Sequence, residues 1–448
     1  HTGHAALGVD DLAVGRWRWR VALVEADAGR LMLTRGSTGV TAELEFDRIL
    51  RDRALETVFQ PIVHLGSMAT VGYEALVRGP VGSSFASASS LLAAAYRTRR
   101  VVEFDWAARA SASRAAVAAG LSADVLLFLN VEPLALDSPC PPDLWPDIEH
   151  AFGLFRVVLE VTERSLDRDP GSLLDGIARQ RLEVEALALD DVGSTTKTLS
   201  MLPVLSADVI KLDGSVTRGG TTPAAMKILD IAYEERERTG ATILAEGVET
   251  AAQAAQARMF GASLGQGHHF GQPGPLERDA RDPARVPGIA TQTVPDVRTP
   301  FEALGGSTIG QATADVLMPL ARQVLRGGVE LIDPALVIVL VPGPEVFTAA
   351  DRRYLAELAE RGVITGILGP GLSAEPATGA RGADAHDPTL AGEWAVVALS
   401  PSSAGAMLAR TVAGAGSEFE FGVTHNRTRV IAAARCLLHR LGPPPHSD

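Results

Sequence analysis

Seven polar side chains stand where short apolar runs of the sequence end, and their chemical types indicate metal-assisted chemistry. Five are carboxylates, one is an amide and one is an ammonium: Glu74, Asn130, Glu160, Asp190, Asp191, Lys211 and Glu246. Carboxylate and amide oxygens are hard ligands that suit Mg²⁺ or Mn²⁺, and the set contains no histidine or cysteine. The adjacent aspartates fit a two-metal centre, in which ions about 3.5–4 Å apart stabilise the attacking and leaving oxygens of a phosphodiester displacement.

A simpler interpretation of any one of these acids is a helix N-cap or a surface charge. The ordered series, which Gln266 extends at the last apolar run, is harder to explain in that way. The tripeptide Glu-Ala-Leu occurs three times, at Glu74, Glu185 and Glu302. Only Glu74 opens the series at a strand end, so the other two copies are expected to be coincidental.

The elements that carry these residues read as repeated strand–helix units. Apolar runs such as VLLFLNVEP and FRVVLEVTE alternate with helical stretches, one of which has Thr222 as N-cap, Pro223 at its first position and Gly240 just past its end. Seven or eight units in about 230 residues predict a TIM-like (β/α)8 barrel, with a doubly wound sheet as the alternative. In a barrel all strand ends of one kind share a rim, so distant carboxylates would meet there.

Composition shifts divide the chain into four parts. Residues 1–43 are predicted to be a hairpin and linker, 44–276 the barrel, 277–299 a Pro- and Arg-rich linker, and 300–442 a smaller α/β or α+β domain. The run RWRWR near the start could bind nucleic acid or membrane. Alternation at period two favours a packed strand instead.

Overall charge and composition exclude several classes of protein. The 448-residue chain has a net charge of −13, which argues against binding long nucleic acid. It contains no apolar run of about 18 residues, so no membrane-spanning helix is predicted, and no signal peptide is predicted either. Its two cysteines are far apart in sequence, which suits a reducing, cytoplasmic location.

The motifs FQPIV, YEALVR, LNVEP, LEVTE, LALDDVG, IKLDG, LAEGVET and GASLGQGHHFGQP occur in this order between about residues 46 and 275. In this they resemble the EAL-domain family of cyclic di-GMP phosphodiesterases. The resemblance implies a TIM-like barrel with one strand reversed. It also implies Mg²⁺- or Mn²⁺-dependent hydrolysis of cyclic di-GMP to linear pGpG, and a homodimer formed through this domain.

The same resemblance implies a role for each matching position. It gives the metal ligands as Glu74, Asn130, Glu160, Asp190, Asp191 and Glu246. The catalytic residues would be Glu246, Lys211 and Asp191, with Glu246 helping to deprotonate the attacking water and Lys211 orienting that water or neutralising charge at phosphorus. Substrate contacts would come from Gln60, Arg78 and Asp213. Supporting residues would be Glu163, Gln266 and Glu249.

The sequence departs from the family pattern at three places. Thr195 stands where the family has a second glycine after the aspartate pair, and a β-branched residue is costly if that position requires a positive φ. The run KLDGSV lacks the usual basic and aromatic residues after Asp213, and His268 and Gln272 replace an aromatic and a basic residue. His268 and His269 are not expected to bind metal together, because neighbours at a strand end point apart.

The second domain resembles the DICT sensory family through TPFEAL, FTAADRRYLAELAERG, EWAVVALSP and TRVIAAARCLLHRL. This implies an input module with an unknown ligand or partner, and a docking or dimerisation module is the alternative. The chain as a whole is therefore expected to be a cyclic di-GMP phosphodiesterase regulated by this domain. A catalytically weak receptor for cyclic di-GMP and a scaffold that only dimerises are the alternatives.

Overall fold

A computed structural model gives the structure of the chain over eleven segments. They are residues 37–162, 170–181, 183–194, 198–220, 222–276, 294–307, 309–327, 335–343, 346–385, 387–412 and 418–441. Residues 1–36 of the predicted N-terminal hairpin and linker, and most of the linker predicted at 277–299, lie outside these segments. None of the helices described is both long and apolar enough to cross a lipid bilayer.

The first domain is a closed eight-stranded barrel wrapped by helices. Its strands are β1 Glu56–His64, β2 Ala69–Arg78, β3 Leu126–Val131, β4 Arg156–Thr162, β5 Ala186–Val192, β6 Val209–Leu212, β7 Thr242–Ala245 and β8 Leu264–Gln266. Its helices are α1 Ser37–Arg51, α2 Ala88–Arg97, α3 Val101–Ala118, α4 Pro133–Leu136, α5 Trp145–Leu154, α6 Pro170–Gln180, α7 Thr198–Leu205, α8 Gly214–Arg218, α9 Pro223–Thr239 and α10 Ala251–Met259.

Strand β1 runs against the others. It pairs antiparallel with both β2 and β8, and all other neighbours in the barrel are parallel. The predicted barrel with one reversed strand is confirmed, and the doubly wound alternative is wrong because the sheet closes on itself.

The alternation of side chains along each strand places the polar residues at the barrel mouth. The barrel interior is filled by a layer of apolar side chains that includes Phe128, Val158, Ala188, Val209, Leu244 and Leu264. Because side chains two positions apart share a face of a strand, the residue two positions later points to the same interior axis. Those residues are Asn130, Glu160, Asp190, Lys211, Glu246 and Gln266.

Local signals in the sequence fix the ends of α9 as predicted. The Thr222 side chain accepts a hydrogen bond from Ala225 N, Pro223 opens the helix, and Gly240 ends it in a left-handed conformation at φ 75°. Gly240 N donates to Arg236 O at 2.7 Å, which satisfies a carbonyl that the helix end would otherwise leave unpaired. This helix then returns the chain to the start of β7.

The second domain is a seven-stranded mixed sheet with helices on both faces. Strand order is β12-β11-β10-β13-β14-β15-β9. The strands are β9 Gly310–Thr313, β10 Leu336–Leu340, β11 Ile364–Gly369, β12 Arg381–Asp384, β13 Glu393–Leu399, β14 Ala404–Thr411 and β15 Glu418–Thr424. The helices are α11 Ala314–Gly327, α12 Ala349–Glu360, α13 Arg427–Leu438 and two short 3₁₀ helices at Phe301–Leu304 and Pro388–Leu390. The segment between β11 and β13 contains the short strand β12.

Helix α13 joins the two domains. It packs on the second sheet on one side and on barrel helices α6 and α7 on the other. Arg435 Nε donates to Val204 O at 2.6 Å, and His439 Nδ1 lies 3.0 Å from Asp175 Oδ1. A single hydrophobic cluster therefore runs from barrel helices into the second domain, including Leu202 of α7 and Leu437 of α13.

Replacing Phe128 with alanine tests whether the apolar layer supports the mouth. Phe128 is 0% exposed in the barrel interior, so we expect the Phe128→Ala variant to lose about 3–5 kcal/mol of free energy of unfolding. Leu134, 53% exposed, provides the control, and Leu134→Ala should change stability by less than about 0.5 kcal/mol. Urea unfolding curves measure both, and equal losses would contradict the packing described.

Candidate metal centre

Lys211 lies at the centre of the carboxylates that the strands bring to the barrel mouth. Its Nζ is 2.6 Å from Glu160 Oε1, 2.8 Å from Asp190 Oδ1 and 2.9 Å from Glu246 Oε1. A fourth carboxylate oxygen, Glu74 Oε2, lies 3.8 Å away. The lysine side chain is 0% exposed. Acids that are up to 172 positions apart in sequence, from Glu74 to Glu246, thus share one ammonium group.

Glu74 is held by amide side chains. Asn130 Nδ2 donates to Glu74 Oε1 at 2.9 Å, and Gln266 Nε2 donates to Glu74 Oε2 at 2.6 Å. Gln266 Nε2 also lies 3.0 Å from Gln60 Oε1, and Gln60 Nε2 donates to Gly271 O at 3.2 Å. A chain of hydrogen bonds therefore connects Gln60 on β1 to the carboxylate that opens the ordered series.

A backbone irregularity brings Asp191 to the same side as Asp190. Successive side chains on a strand point apart, but Asp191 has φ 56° and the pairing of β5 with β6 shifts register between Leu189 and Val192. A non-glycine residue at positive φ is unusual and costs conformational energy, and such residues often occur at functional sites. Here one carboxylate oxygen from each of Asp190, Asp191 and Glu246 lies within 4.8 Å of the others.

Two glycines permit the close backbone packing that surrounds these acids. At Gly267, with φ 150°, an added Cβ would lie 2.2 Å from Val248 O, two residues after Glu246. At Gly193, with φ 98°, an added Cβ would lie 2.7 Å from Val216 Cγ2. Gly267 was not singled out from the sequence, although its position directly after the strand-end residue Gln266 was the available signal.

Burial and mutual repulsion shift the pKa values of the central groups. Burial raises the pKa of Glu160 well above that of an ordinary glutamate; the Glu74 carboxylate adds to the rise and Lys211 opposes it. Burial also raises the pKa of Glu246, against the opposing charge of Lys211. Burial alone would lower the pKa of Lys211, but the surrounding carboxylates, Asp190 first, hold it well above its usual value.

The residues fit a pair of divalent cations. Four carboxylates, those of Glu74, Glu160, Asp190 and Glu246, surround one ammonium, and Asp191 lies beside Asp190 and Glu246. Five carboxylates and one ammonium leave four formal negative charges, which two divalent ions would neutralise. Glu160 Oε1 and Asp190 Oδ1 contact the Lys211 ammonium, whereas Glu160 Oε2 has no hydrogen-bond partner within the described segments. Buried oxygens of this kind are costly unless a cation or a donor satisfies them.

The remaining predicted site residues lie at varying distances from this centre. Arg78, at the end of β2, donates from Nη1 to Val77 O, and the Glu74 charge acts on it, so it lies near the mouth. Asp213 accepts from Ser215 N at 2.8 Å as the N-cap of α8. Glu249 is exposed, 3.9 Å from Arg218 Nη1. Glu163 lies outside the described residues.

Two departures from the family pattern can be partly located. Thr195 lies outside the residues described, so the cost of replacing the second glycine stays a prediction. His268 and His269 are exposed, and neither belongs to the one group of three or more candidate metal-ligating acids, histidines or cysteines found in the described part of the chain.

Metal binding should weaken as the pH falls. The pKa values of Glu160 and Glu246 are raised in the metal-free folded protein, so both side chains bind protons more tightly there than in the unfolded chain. Their protonation therefore adds to the free energy of unfolding at low pH, and this contribution is lost as the pH rises through the raised pKa values. A divalent cation needs both carboxylates ionised and must release their protons. Calorimetric titration with Mn²⁺ at about pH 8 and about pH 6 should give tighter binding at the higher pH, with protons released. The Glu246→Gln variant should release fewer. Equal affinity at both pH values would contradict this.

Two relatives illustrate the similarity of the chain to known proteins. It is 36% identical to the probable cyclic di-GMP phosphodiesterase PdeD of Escherichia coli strain K12 over 132 residues, 28% of this chain and 24% of that protein. It is 29% identical to the cyclic di-GMP phosphodiesterase RocR of Pseudomonas aeruginosa over 160 residues, 35% of this chain and 41% of that protein. In both cases the match spans less than half of the relative's own length.

Among solved structures, the chain is similar to BlrP1 of Klebsiella pneumoniae. Its complex with calcium and cyclic di-GMP is 27% identical, with a TM-score of 0.44 and coverage of 49% of this chain and 56% of that chain. Its manganese complex with cyclic di-GMP at pH 9.0 is 28% identical, with the same TM-score of 0.44 and coverage of 49% and 56%.

The family match covers the barrel described above. Residues 44–273 match the EAL domain family, which is half of the 448-residue chain. The matched region contains every strand of the barrel and every carboxylate around Lys211. The chain belongs to the EAL domain family.

Proposed function

We propose that the barrel hydrolyses one phosphodiester bond of cyclic di-GMP and yields linear pGpG, with Mg²⁺ or Mn²⁺ bound at its mouth. One observation carries the proposal: the carboxylates of this EAL domain converge on Lys211 with distances of 2.6, 2.8 and 2.9 Å to three of them. The relatives that are named cyclic di-GMP phosphodiesterases support the choice of substrate.

The metal ions would be held by oxygen ligands on neighbouring strands: Glu74, Asn130, Glu160, Asp190, Asp191 and Glu246. When bound, two such ions supply Lewis-acid stabilisation of the attacking and leaving oxygens of the phosphodiester. The chain's own contribution is to fix these ligands on rigid strands, with Glu74 inside β2 and not at the strand end that the sequence predicted. Asn130 and Gln266 each orient one oxygen of Glu74, which limits the directions in which that carboxylate can bind a cation.

Glu246 is suited to accept a proton from the attacking water, and Lys211 is suited to stabilise negative charge. The raised pKa of Glu246 makes its carboxylate a stronger proton acceptor than an ordinary glutamate, which suits a role in deprotonating the attacking water. The raised pKa of Lys211 keeps its ammonium charged, so it can orient that water or stabilise negative charge that develops on the phosphoryl oxygens. Both groups are within 2.9 Å of each other, so the proton acceptor and the positive charge act at one place.

Substrate recognition would involve the side chains at the rim. The side-chain amide of Gln60 has a donor nitrogen and an acceptor oxygen that can hydrogen-bond to the edge of a guanine base. The guanidinium of Arg78 can hydrogen-bond to a phosphate. In the structure Gln266 Nε2 donates hydrogen bonds to both Gln60 Oε1 and Glu74 Oε2. The residue that would contact the base and a residue that would bind metal therefore belong to one chain of hydrogen bonds. Asp213 would need to combine its proposed substrate contact with its role as the N-cap of α8.

Three copies of one tripeptide provide matched variants for the catalytic test. We expect Glu74→Gln and Lys211→Ala to reduce the hydrolysis of cyclic di-GMP by at least about 100-fold, because each removes a charge from the centre. Glu185→Gln and Glu302→Gln should retain the parent rate, since Glu185 pairs with Arg156 and Glu302 with Arg298 on other surfaces. Product formation with Mn²⁺, measured by chromatography, decides this.

Unchanged activity of Glu74→Gln or Lys211→Ala would make the site assignment wrong. Binding of cyclic di-GMP by the parent protein without turnover would instead favour the receptor alternative. Neither binding nor turnover would favour a scaffold. Circular dichroism spectra check that each variant keeps its fold.

We further propose that the C-terminal domain regulates the barrel through α13 and α7. Helix α7 begins at Thr198, seven residues after Asp191, and its last turn offers the carbonyl of Val204 to Arg435. A cation at a helix C-terminus satisfies unpaired carbonyls and stabilises the helix dipole. Because Arg435 is largely buried, its pKa falls to about 10, and it stays charged at neutral pH. Movement of α13 would therefore be transmitted to the segment that follows the aspartate pair.

Removing this contact should uncouple the domains. We expect Arg435→Ala to lower the rate of cyclic di-GMP hydrolysis by about fivefold or more, because the end of α7 loses its charged partner. Arg410→Ala is the control: Arg410 pairs with Glu420 at 2.8 Å within the second sheet, away from α7. Steady-state kinetics of both variants test this, and an equal effect of the two would contradict a route through α13.

A further inference from the structure

Arg218, at the end of α8, brings a guanidinium to the barrel mouth that the function proposed above does not use. Its side chain is 44% exposed, and its Nη1 donates to Gly247 O at 3.5 Å. Helix α8 begins at Gly214, three residues after Lys211, and Gly247 directly follows Glu246. The guanidinium therefore lies at the same rim as the metal centre, between the segments of chain that leave β6 and β7.

Two glycines make room for this guanidinium. A Cβ added at Gly214 would lie 2.6 Å from Arg218 Nη1, and a Cβ added at Gly247, where φ is 61°, would lie 2.5 Å from the same atom. Gly214 directly follows Asp213, in the run that lacks the basic residue usual in the family. Arg218, four residues later on α8, therefore supplies a cation to this part of the rim.

The acid beside Arg218 at the rim is Glu249, and the two side chains are not hydrogen-bonded to each other. Arg218 Nη1 lies 3.9 Å from Glu249 Oε1, and 56% of the Glu249 side chain is exposed. Glu249 N and Thr250 N donate to Gln253 Oε1 at 2.7 and 3.1 Å, which fixes the backbone that carries the acid. Within the segments that the structure describes, the one hydrogen bond of the Arg218 guanidinium is the long bond to Gly247 O. A donor group and an acceptor group therefore lie side by side at the rim with capacity to bind a ligand.

An arginine with a carboxylate beside it matches one side of a guanine base. Around that side of guanine, the acceptors N7 and O6 are followed by the donors N1–H and N2–H₂. An arginine donates two parallel hydrogen bonds to N7 and O6, and a neighbouring carboxylate can accept from N1–H and N2–H₂. Adenine would place its N6 donor against the arginine. A phosphate would face the negative charge of Glu249, so a neutral base fits the two side chains better.

The place of Arg218 in the barrel assigns it to one half of the substrate. Strand β6 lies opposite β2 in the closed eight-stranded barrel. Gln60 and Arg78, on β1 and β2, would contact one half of cyclic di-GMP, and the second guanine lies on the other side of the dinucleotide ring. We propose that Arg218 binds N7 and O6 of this second guanine and determines the specificity of the site for guanine over adenine. The inference rests on the proposed function, because it takes cyclic di-GMP as the ligand of the mouth.

Equilibrium binding without turnover tests this base contact. Calorimetric titrations of the full chain with cyclic di-GMP and with cyclic di-AMP, in buffer that contains EDTA, measure affinity in the absence of metal-dependent hydrolysis. The two ligands share one ribose–phosphate ring and differ in their bases. The parent protein should bind cyclic di-GMP at least about tenfold more tightly than cyclic di-AMP. Arg218→Ala and Arg218→Lys should each lose about tenfold in affinity for cyclic di-GMP alone, because neither residue can donate two parallel hydrogen bonds.

Matched variants locate the contact. Arg236 Nη1 also donates to a glycine carbonyl, Gly261 O at 3.3 Å, but this glycine precedes β8 at the other end of the barrel, so Arg236→Ala should keep the parent affinities. Gly214→Ala places a Cβ against the Arg218 guanidinium and should weaken cyclic di-GMP binding as Arg218→Ala does. Gly153→Ala adds the same methyl group in α5, where it would meet no neighbouring atom within 4 Å, and should leave binding unchanged.

These titrations separate the base contact from the hydrolysis. Parent affinity for cyclic di-GMP in Arg218→Ala would overturn the inference even if the chain hydrolyses cyclic di-GMP with Mn²⁺. Equal losses for both dinucleotides in Arg218→Ala, or full affinity in Arg218→Lys, would make Arg218 a contact to phosphate and would overturn it too, as would absence of binding by the parent protein. A loss confined to cyclic di-GMP, in a chain that shows no turnover with Mn²⁺, would support the base contact and contradict the hydrolysis.

Discussion

Repulsion among carboxylates at the barrel mouth is the constraint on which the rest of the structure depends. Glu160 and Lys211 are both 0% exposed, and each would be strongly destabilising if buried alone. Their contact at 2.6 Å, with two further carboxylates within 2.9 Å of the same nitrogen, makes the arrangement possible. One ammonium does not balance all of the acids, and the surplus of negative charge makes the site suited to divalent cations.

The barrel keeps these groups in place by layers. Beneath the polar layer lies the apolar layer that contains Phe128 and Val158, two positions earlier on the same strands. The exception to this alternation is Asp191, which reaches the site only because the backbone is irregular at that point. A strained backbone conformation persists only when surrounding contacts hold it in place. Gly193 provides one such contact, because it packs so closely on Val216 that a larger residue would not fit. The chain then enters α7, which the second domain holds through Arg435.

Much of the fold followed from the sequence because its signals are local. Alternating apolar runs, the Thr222 cap and the Gly240 terminator each act within a few residues, and they are sufficient to define strand–helix units. The order of these polar residues then predicted that they meet at one barrel mouth, since parallel strands share a rim, but it did not predict that Lys211 lies at their centre. The second domain was likewise expected to be α/β or α+β, and its apolar runs LVIVL and EWAVVAL form β10 and β13.

Features that depend on contacts distant in sequence could not be predicted. No local pattern distinguishes Asp191 from an outward-facing strand residue, because its conformation results from the pairing with β6. The contact of Arg435 with Val204 joins residues 231 positions apart. Asp213 was assigned to substrate binding from the family resemblance, and its role as the N-cap of α8 was not predicted.

The central claim is that acids from separate strands bind a pair of divalent cations at this mouth. Anomalous diffraction from crystals of the chain soaked in Mn²⁺ tests it most directly. We expect two anomalous peaks about 3.5–4 Å apart, bound by carboxylate oxygens of Glu74, Glu160, Asp190, Asp191 and Glu246. Absence of peaks at saturating Mn²⁺, or peaks bound only to other surfaces, would contradict it.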